Sequence, residues 1–553
     1  MQLALYSLFA LIPILTAFFL LVIANRPATQ AMPIAYLVTA IIGLLVWKMS
    51  FLQIAASTLE GWVTTCEILY IVFGAILLLN TLQESGAIAK IRQSLLTISR
   101  DRRIQAILIA WLFGCFIEGA SGFGTPAVIC VPLLVAIGFP AMAAVLIALI
   151  IQTTPSAFGA IGTPILIGVS GGLSGSSAVD QQISRLGVSF SDYLANIGTK
   201  TGLVQAIIGI FIPFLLTVML TTEFGDRKSW RDALPVLGFS LFAGLAFTIP
   251  YALTAFWIGP EFPSLLGGLV GLMVVIPAAK RGFLTPKEIW DFPDRNQWPS
   301  PWNGKSSEKI SDKMVEMTAI KAWTPYVLVS LFLVLSRLRN LPFRQWLQSV
   351  KVNFVDIFGT TVSISSQPLF LPGTLFIATV AVTYFLHQMK PQQIQRASVG
   401  AARKLVATAL AIGASVPMAK VFINSGVNEA GLASMPLTLA EGASSLAGQL
   451  WPLFAPIIGM IGAFVSGSVT VSNLMFSLFQ FGVAEQIGTL APNILALQVV
   501  GAAAGNMIAV SNIVAAVATV GLVGREGILM RKLLLPLLFY LIFAGILGLI
   551  ISV

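Results

Sequence analysis

Gly119-Ala120-Ser121-Gly122-Phe123-Gly124-Thr125-Pro126 breaks a run of sequence that is otherwise almost wholly apolar. Glycine and proline end helices at low cost, and small side chains let backbones approach closely. Thirty-eight positions on from Thr125 stands Thr163, in a second break, Gly159-Ala160-Ile161-Gly162-Thr163-Pro164. The other half of the chain holds a similar pair. Gly467-Ser468-Val469-Thr470-Val471-Ser472-Asn473 is followed by Gly501-Ala502-Ala503-Ala504-Gly505-Asn506-Met507 and then Ser511-Asn512. Thr125 precedes Ser472 by 347 positions, and Thr163 precedes Ser511 by 348. Matching spacing in two halves implies duplication.

The material around these breaks decides the class. Of 553 residues, 57% are hydrophobic and only 10% charged, and the mean hydropathy is +0.91. That leaves too little charge to cover a soluble fold of this length. Stretches such as 3–23, 34–46, 68–79, 203–220, 234–249, 401–420 and 533–551 reach, or nearly reach, the length that crosses a hydrocarbon core of about 30 Å. They are too long and too uniformly apolar for barrel strands. The first run has no basic residue before it, which predicts a retained helix and not a cleaved leader. The expected fold is an all-α polytopic membrane protein of about 12–14 spans, with discontinuous or re-entrant helices at the breaks.

The formal charge of +10 does not signal nucleic acid. Lys90, Arg92, Arg100, Arg102 and Arg103 crowd one connection, and Lys390, Arg396, Arg403 and Lys404 another. Basic loops of this kind mark the cytoplasmic side. Residues 84–103 precede the first break and are basic, whereas 424–446 precede the third and hold only Glu429 and Glu441. After the second break of each half the bias reverses: Arg185 stands with Asp180 and Asp192, against Arg525, Arg531 and Lys532. The two repeats are therefore expected in inverted topology, an architecture of alternating access.

This predicts N-terminal helices at 1–60, a first core at 61–200 and scaffold helices at 201–279. A cytoplasmic polar loop at 280–320, with Trp290, Trp298 and Trp302, divides the halves. Linking helices at 321–399, a second core at 400–530 and a last helix at 531–553 complete the chain. Arg337, Arg339, Arg344 and Lys351 then fall outside, against the charge rule, and a half-buried or re-entrant segment over 343–358 would relieve the conflict.

Helix ends exposed at membrane depth need partners from protein, water, ion or substrate. N-termini suit an anion, whereas carbonyls and Ser, Thr or Asn side chains suit a cation. Ser121, Gly122, Gly124, Thr125, Thr163, Ser472, Asn473, Ser511 and Asn512 are the expected substrate contacts. Packing of small residues between helices is the competing explanation. Glu118 directly precedes the first break, where a carboxylate is costly unless paired, hydrated or protonated, so it is the candidate proton site; the plainer alternative is a helix end reaching water. Lys420, in Met418-Ala419-Lys420-Val421, is expected at a substrate carboxylate, with a snorkelling lysine as the rival. Glu441 is a lower candidate for proton coupling, with Glu67 and Asp356 behind it. Cys66, Cys115 and Cys130 lack metal-ligand spacing and His387 stands alone, so no metal, cofactor or hydrolytic triad is implied.

Phe116-Ile117-Glu118-Gly119-Ala120-Ser121-Gly122-Phe123-Gly124-Thr125-Pro126, Gly159–Pro164, Asn424-Ser425-Gly426-Val427 and Gly467–Asn473 together resemble the L-lactate permease family, over nearly the full chain. The resemblance implies proton-coupled uptake of lactate and related 2-hydroxy-monocarboxylates such as glycolate across the bacterial inner membrane, with substrate near 118–126 and 467–473. Its partners would be a small monocarboxylate, protons and membrane lipid, with no nucleic acid and with oligomerisation left open. Sodium coupling, a passive anion channel and, more remotely, a membrane enzyme are the competing functions.

Overall fold

A computed structural model describes residues 2–24, 26–96, 98–122, 124–304, 317–337, 341–522 and 524–552. Phe123 of the first break, Arg339 and the 305–316 part of the polar loop lie outside the described residues. Three helices open the chain: α1 (Gln2–Phe18), α2 (Ala28–Leu45) and α3 (Phe51–Glu84). The first core holds α4 (Arg102–Ser121), α5 (Thr125–Ala136), α6 (Ala141–Ile150) and α7 (164–173). Then follow α8 (Phe190–Gly209), α9 (Ile212–Phe224), α10 (Leu237–Trp257), α11 (Pro263–Lys280) and α12 (Ala319–Arg337). A short helix, α13 (Pro342–Ser349), leads to a two-stranded ribbon, β1 (Val352–Phe354) and β2 (Ile364–Ser366), and to α14 (Pro372–Leu386) and α15 (Pro391–Ile423). The second core is α16 (Met435–Ala447), α17 (Trp451–Ser466), α18 (Val469–Ile487), α19 (Ala491–Asn506) and α20 (Val510–Ala518), and α21 (Glu526–Ser552) closes the chain. Ten helical segments among the described residues are long and apolar enough to cross a membrane. The protein is an integral, multi-pass, all-α membrane protein.

The two long helices α3 and α15 form an antiparallel pair. Their close crossing needs Gly61, where a methyl group would lie 2.4 Å from Pro417 Cα. At one end Arg396 pairs with Glu84 at 2.9 Å, and Gln393 Nε2 donates to Glu84 O at 2.8 Å. The basic connections 84–103 and 390–404 therefore lie at the same end, which the charge rule assigns to the cytoplasm. The polar loop lies there too. Arg102 meets Asp291 at 2.8 Å, Arg525 donates to Ser300 O at 2.7 Å, and Trp302 packs on Phe224 with ring centroids 5.0 Å apart.

Both glycine breaks that lead their halves are hairpin tips. Arg102, at the start of α4, donates to Ile137 O just past α5, so the chain turns back between Ser121 and Thr125 and leaves by the end it entered. Gln449 Nε2 donates to Ile487 O at 2.7 Å, which closes the base of the α17–α18 hairpin in the same way. The bases lie at opposite ends. From the first base the chain climbs through α6 and α7 to the helix Ser177–Leu186, whose Gln182 bonds Glu485 at the second base. From the second base it returns through α19 and α20 to Val520, which lines a cavity with Arg102 and Gly138.

Three expectations need adjusting. The helix around the apolar stretch 68–79 starts at Phe51, so Glu67 lies mid-helix. The helix around the stretch 401–420 begins earlier, at Pro391, because proline is well tolerated in a first helical turn. The 343–358 segment is neither re-entrant nor deeply buried. Trp346 is 63% and Val355 71% exposed, and the ribbon rests Ile357 and Val362 on Ala56 near the start of α3. Its alternating polar and apolar residues make an amphipathic surface element, so the basic residues Arg344 and Lys351 stay outside the membrane block.

Candidate functional site

The hairpin tips meet where the two crossing segments are interrupted. After α6, the polar run Gln152-Thr153-Thr154-Pro155-Ser156 replaces regular helix, and Ala160 and Ile161 adopt left-handed dihedrals (φ 44° and 58°). Left-handed backbone is strained for any non-glycine residue and more so for a β-branched one. Gly159 is required next to them, since a methyl group there would come within 3.0 Å of Glu118 Oε1. In the second half, α19 ends at Asn506 and α20 starts at Val510. A cavity of about 20 Å³ lies at the junction, lined by Glu118, Gly122, Ser156, Gly159, Ala160, Pro164, Asn506 and the 467–470 tip. That is room for about one water.

A hydrogen-bonded chain crosses from one half to the other. Asn512 Nδ2 donates to Asn506 Oδ1 at 2.7 Å and to Gln152 Oε1 at 3.1 Å. Asn506 Nδ2 donates to Ser156 Oγ at 3.0 Å, and Ser156 Oγ donates to Glu118 Oε1 at 2.8 Å. Glu118 Oε2, fully buried, has no partner among the described residues. Among the described residues, Glu118 is also the one ionisable side chain on the cavity wall. Four helical segments, α5, α7, α18 and α20, begin at or beside the cavity, and their N-termini concentrate partial positive charge there.

The expected contacts separate into groups. Glu118 and Gly122 line the cavity. Gly124 and Ser511 are at the tip contacts: a methyl group on Gly124 would lie 2.6 Å from Asn512 Oδ1, and one on Gly467 2.5 Å from Ser511 Oγ. Asn473 borders the site, donating to Pro164 O at 3.0 Å, and its Oδ1 has no partner among the described residues. Ser121, Thr163 and Ser472 turn back on backbone carbonyls of Ile117, Ala160 and Gly459. Thr125 starts α5 with its N–H on Gly122 O. These four set the shape of the breaks.

Lys420 and Glu441 are not brought to the cavity. Lys420 Nζ is 2.6 Å from Glu60 Oε1, with a further bond to Gly171 O, seven residues past Pro164. Glu441 lies on α16, next to Gly442, which packs on Ser7 of α1. Gln152, Ser156, Asn506 and Glu60 were not singled out from the sequence. The run 152–156, polar inside an apolar block, is the signal that marks the first two.

The sequence is 29% identical to a putative L-lactate permease of Haemophilus influenzae over 97% of both chains. It is 29% identical to the L-lactate permease of Halalkalibacterium halodurans over 100% of this chain and 98% of that one, and 28% identical to that of Escherichia coli K12 over 95% and 92%. Among solved structures, Neisseria gonorrhoeae MtrF, described as one of a class of antimetabolite efflux pumps, aligns at a TM-score of 0.44 and 15% identity, covering 92% of this chain and 85% of that one. The family description "L-lactate permease" matches residues 6–553, and the chain belongs to that family.

Proposed function

We propose that the protein is a secondary transporter that carries L-lactate, and related small 2-hydroxy-monocarboxylates such as glycolate, into the cell together with protons across the inner membrane. The observation that carries this reading is the charge balance of the cavity. Four helix N-termini favour one small anion, and the single ionisable side chain on the wall is a carboxylate. A monoanion and an ionised Glu118 would repel in a low-dielectric site, so Glu118 takes a proton before the loaded site closes. Its Oε2 is the atom that receives it, Oε1 being held by Ser156. One proton with one monoanion makes the cycle electroneutral.

Substrate hydroxyl recognition falls to Ser156, Asn506 and Asn512, with the backbone of Gly122, Gly124 and Gly467–Asn473 cradling the carboxylate. The halves act as inverted repeats, a reading supported by hairpins whose bases lie at opposite ends. Room for about one water means that the tips part to admit a three-carbon acid. Access then alternates as each crossing segment moves against the hairpin facing it.

Labelled lactate uptake into proteoliposomes tests the reading. An imposed pH gradient, alkaline inside, should drive accumulation, and Glu118→Gln should abolish that accumulation while sparing lactate counterflow. Accumulation driven by a sodium gradient alone, or equal loss of accumulation and counterflow, overturns the coupling; a panel of short carboxylates as competitors defines the substrate range.

A further inference from the structure

The packing around the cavity differs towards the two ends of the molecule. Towards the basic end, a cavity of about 320 Å³ lies between the base of the α4–α5 hairpin (Arg102, Val135, Gly138), Val520 beyond α20, and the polar loop at Asp291, Arg295 and Asn303. Towards the other end, α7 and α18 close completely. A methyl group on Gly168 would lie 2.7 Å from Thr470 O, and one on Gly172 2.7 Å from Leu474 O. Glycines four apart share one helix face, which lets the backbones touch.

Behind the closed seam sits a buried ion pair that the substrate site does not use. Lys420 Nζ and Glu60 Oε1 are 2.6 Å apart, with side chains 3% and 9% exposed. Glu60 Oε2 accepts from Asn424 Nδ2 at 2.7 Å. Glu60 and Lys420 stand on the paired helices α3 and α15, and Asn424 caps the end of α15, so the three move together. Lys420 also donates to Gly171 O at 2.9 Å, and Gly171 belongs to α7, the segment that reaches the cavity at Pro164. At the basic end the same two helices are joined by the more exposed Arg396–Glu84 pair and by Asn80 Nδ2 donating to Ala397 O at 3.2 Å.

We propose that Lys420, held by Glu60, is a latch that positions α7 against α18 and keeps the outer seam shut. An ammonium at the last carbonyls of a helix is favoured by the helix dipole, and at this depth the attraction is weakly screened. The division of partners suits a reversible contact. Opening the seam breaks only the bond to Gly171, while the charge stays neutralised by Glu60 on the same rigid pair. Glu67, seven residues along α3 from Glu60, is the other carboxylate that faces this ammonium. The proposal rests on the alternating-access reading given above, yet it concerns a contact that substrate does not touch.

The test places Ser477→Cys in a Cys66→Ser background. Ser477 is fully buried and faces Gly172 across the closed seam. A membrane-impermeant maleimide applied from outside reports how often the seam opens, in the absence of lactate. Lys420→Met should raise the labelling rate about tenfold, the loss of one charge-assisted hydrogen bond. Since that variant strands Glu60, Glu60→Gln/Lys420→Met is made as well; it leaves no unpaired charge and should label as fast. Labelling of the double variant at the parent's rate would show that the pair only balances charge, and overturns the latch. The labelling requires no transport, so failure of lactate uptake with fast labelling would remove the proposed function and leave the latch standing.

Discussion

His387, the chain's one histidine, shows how single residues tie the scaffold together. Just beyond α14, its Nδ1 is 2.9 Å from Ser85 Oγ and its Nε2 3.0 Å from Lys321 O. The carbonyl can only accept, so Nε2 carries the proton and Nδ1 is free to accept from the serine. Burial lowers the pKa below its ordinary 6.5. The unfolded chain therefore takes up the proton first, and the contribution to stability is full above about pH 6.5 and lost as pH falls through the lower folded value. Thermal unfolding in detergent should show a larger drop between pH 7 and pH 5 for the parent than for His387→Gln; equal drops would remove this role. In sequence this residue is a lone histidine, because its partners are 302 and 66 positions away. Glu118 was legible for the opposite reason: a carboxylate beside a glycine-rich break needs no distant partner to stand out. Glu60 was not, since only the crossing of α3 and α15 brings Lys420 to it.

The breaks themselves were readable as elements, because glycine and proline act on their own few residues. Which of them turn back and which pass through was not, as that depends on contacts such as Arg102 with Ile137. The tips also give the clearest contrast between two glycines. Gly124 and Gly187 both take positive φ, +72° and +65°, but a methyl group on Gly124 meets Asn512 Oδ1 at 2.6 Å whereas nothing lies within 4 Å at Gly187. Gly187→Ala should cost only the backbone strain, about 1–2 kcal/mol, and leave uptake near normal. Gly124→Ala should reduce uptake at least about tenfold through misplacement of the tip at comparable surface expression. Equal effects of the two substitutions would mean that the tip contact has no role in transport.

For the molecule as a whole, apolar content announced a membrane protein, while the tight packing of α7 on α18 needed the assembled fold. The open cavity near the basic end should be the path to the cytoplasm. A bis-maleimide bridging cysteines placed at Val135 and Val520, both on its wall, should stop lactate uptake, whereas either single cysteine carrying the reagent should not. Continued transport by the bridged protein would exclude this route. The scaffold around the moving parts has a property of its own. With 34 and 33 residues, α3 and α15 are each about 50 Å long, against an acyl layer of about 30 Å. They must lean in the bilayer or project from it, so the thickness of the surrounding lipid bears directly on how the central pair stands. Because that pair carries the latch, membrane composition becomes a lever on the carrier's resting state.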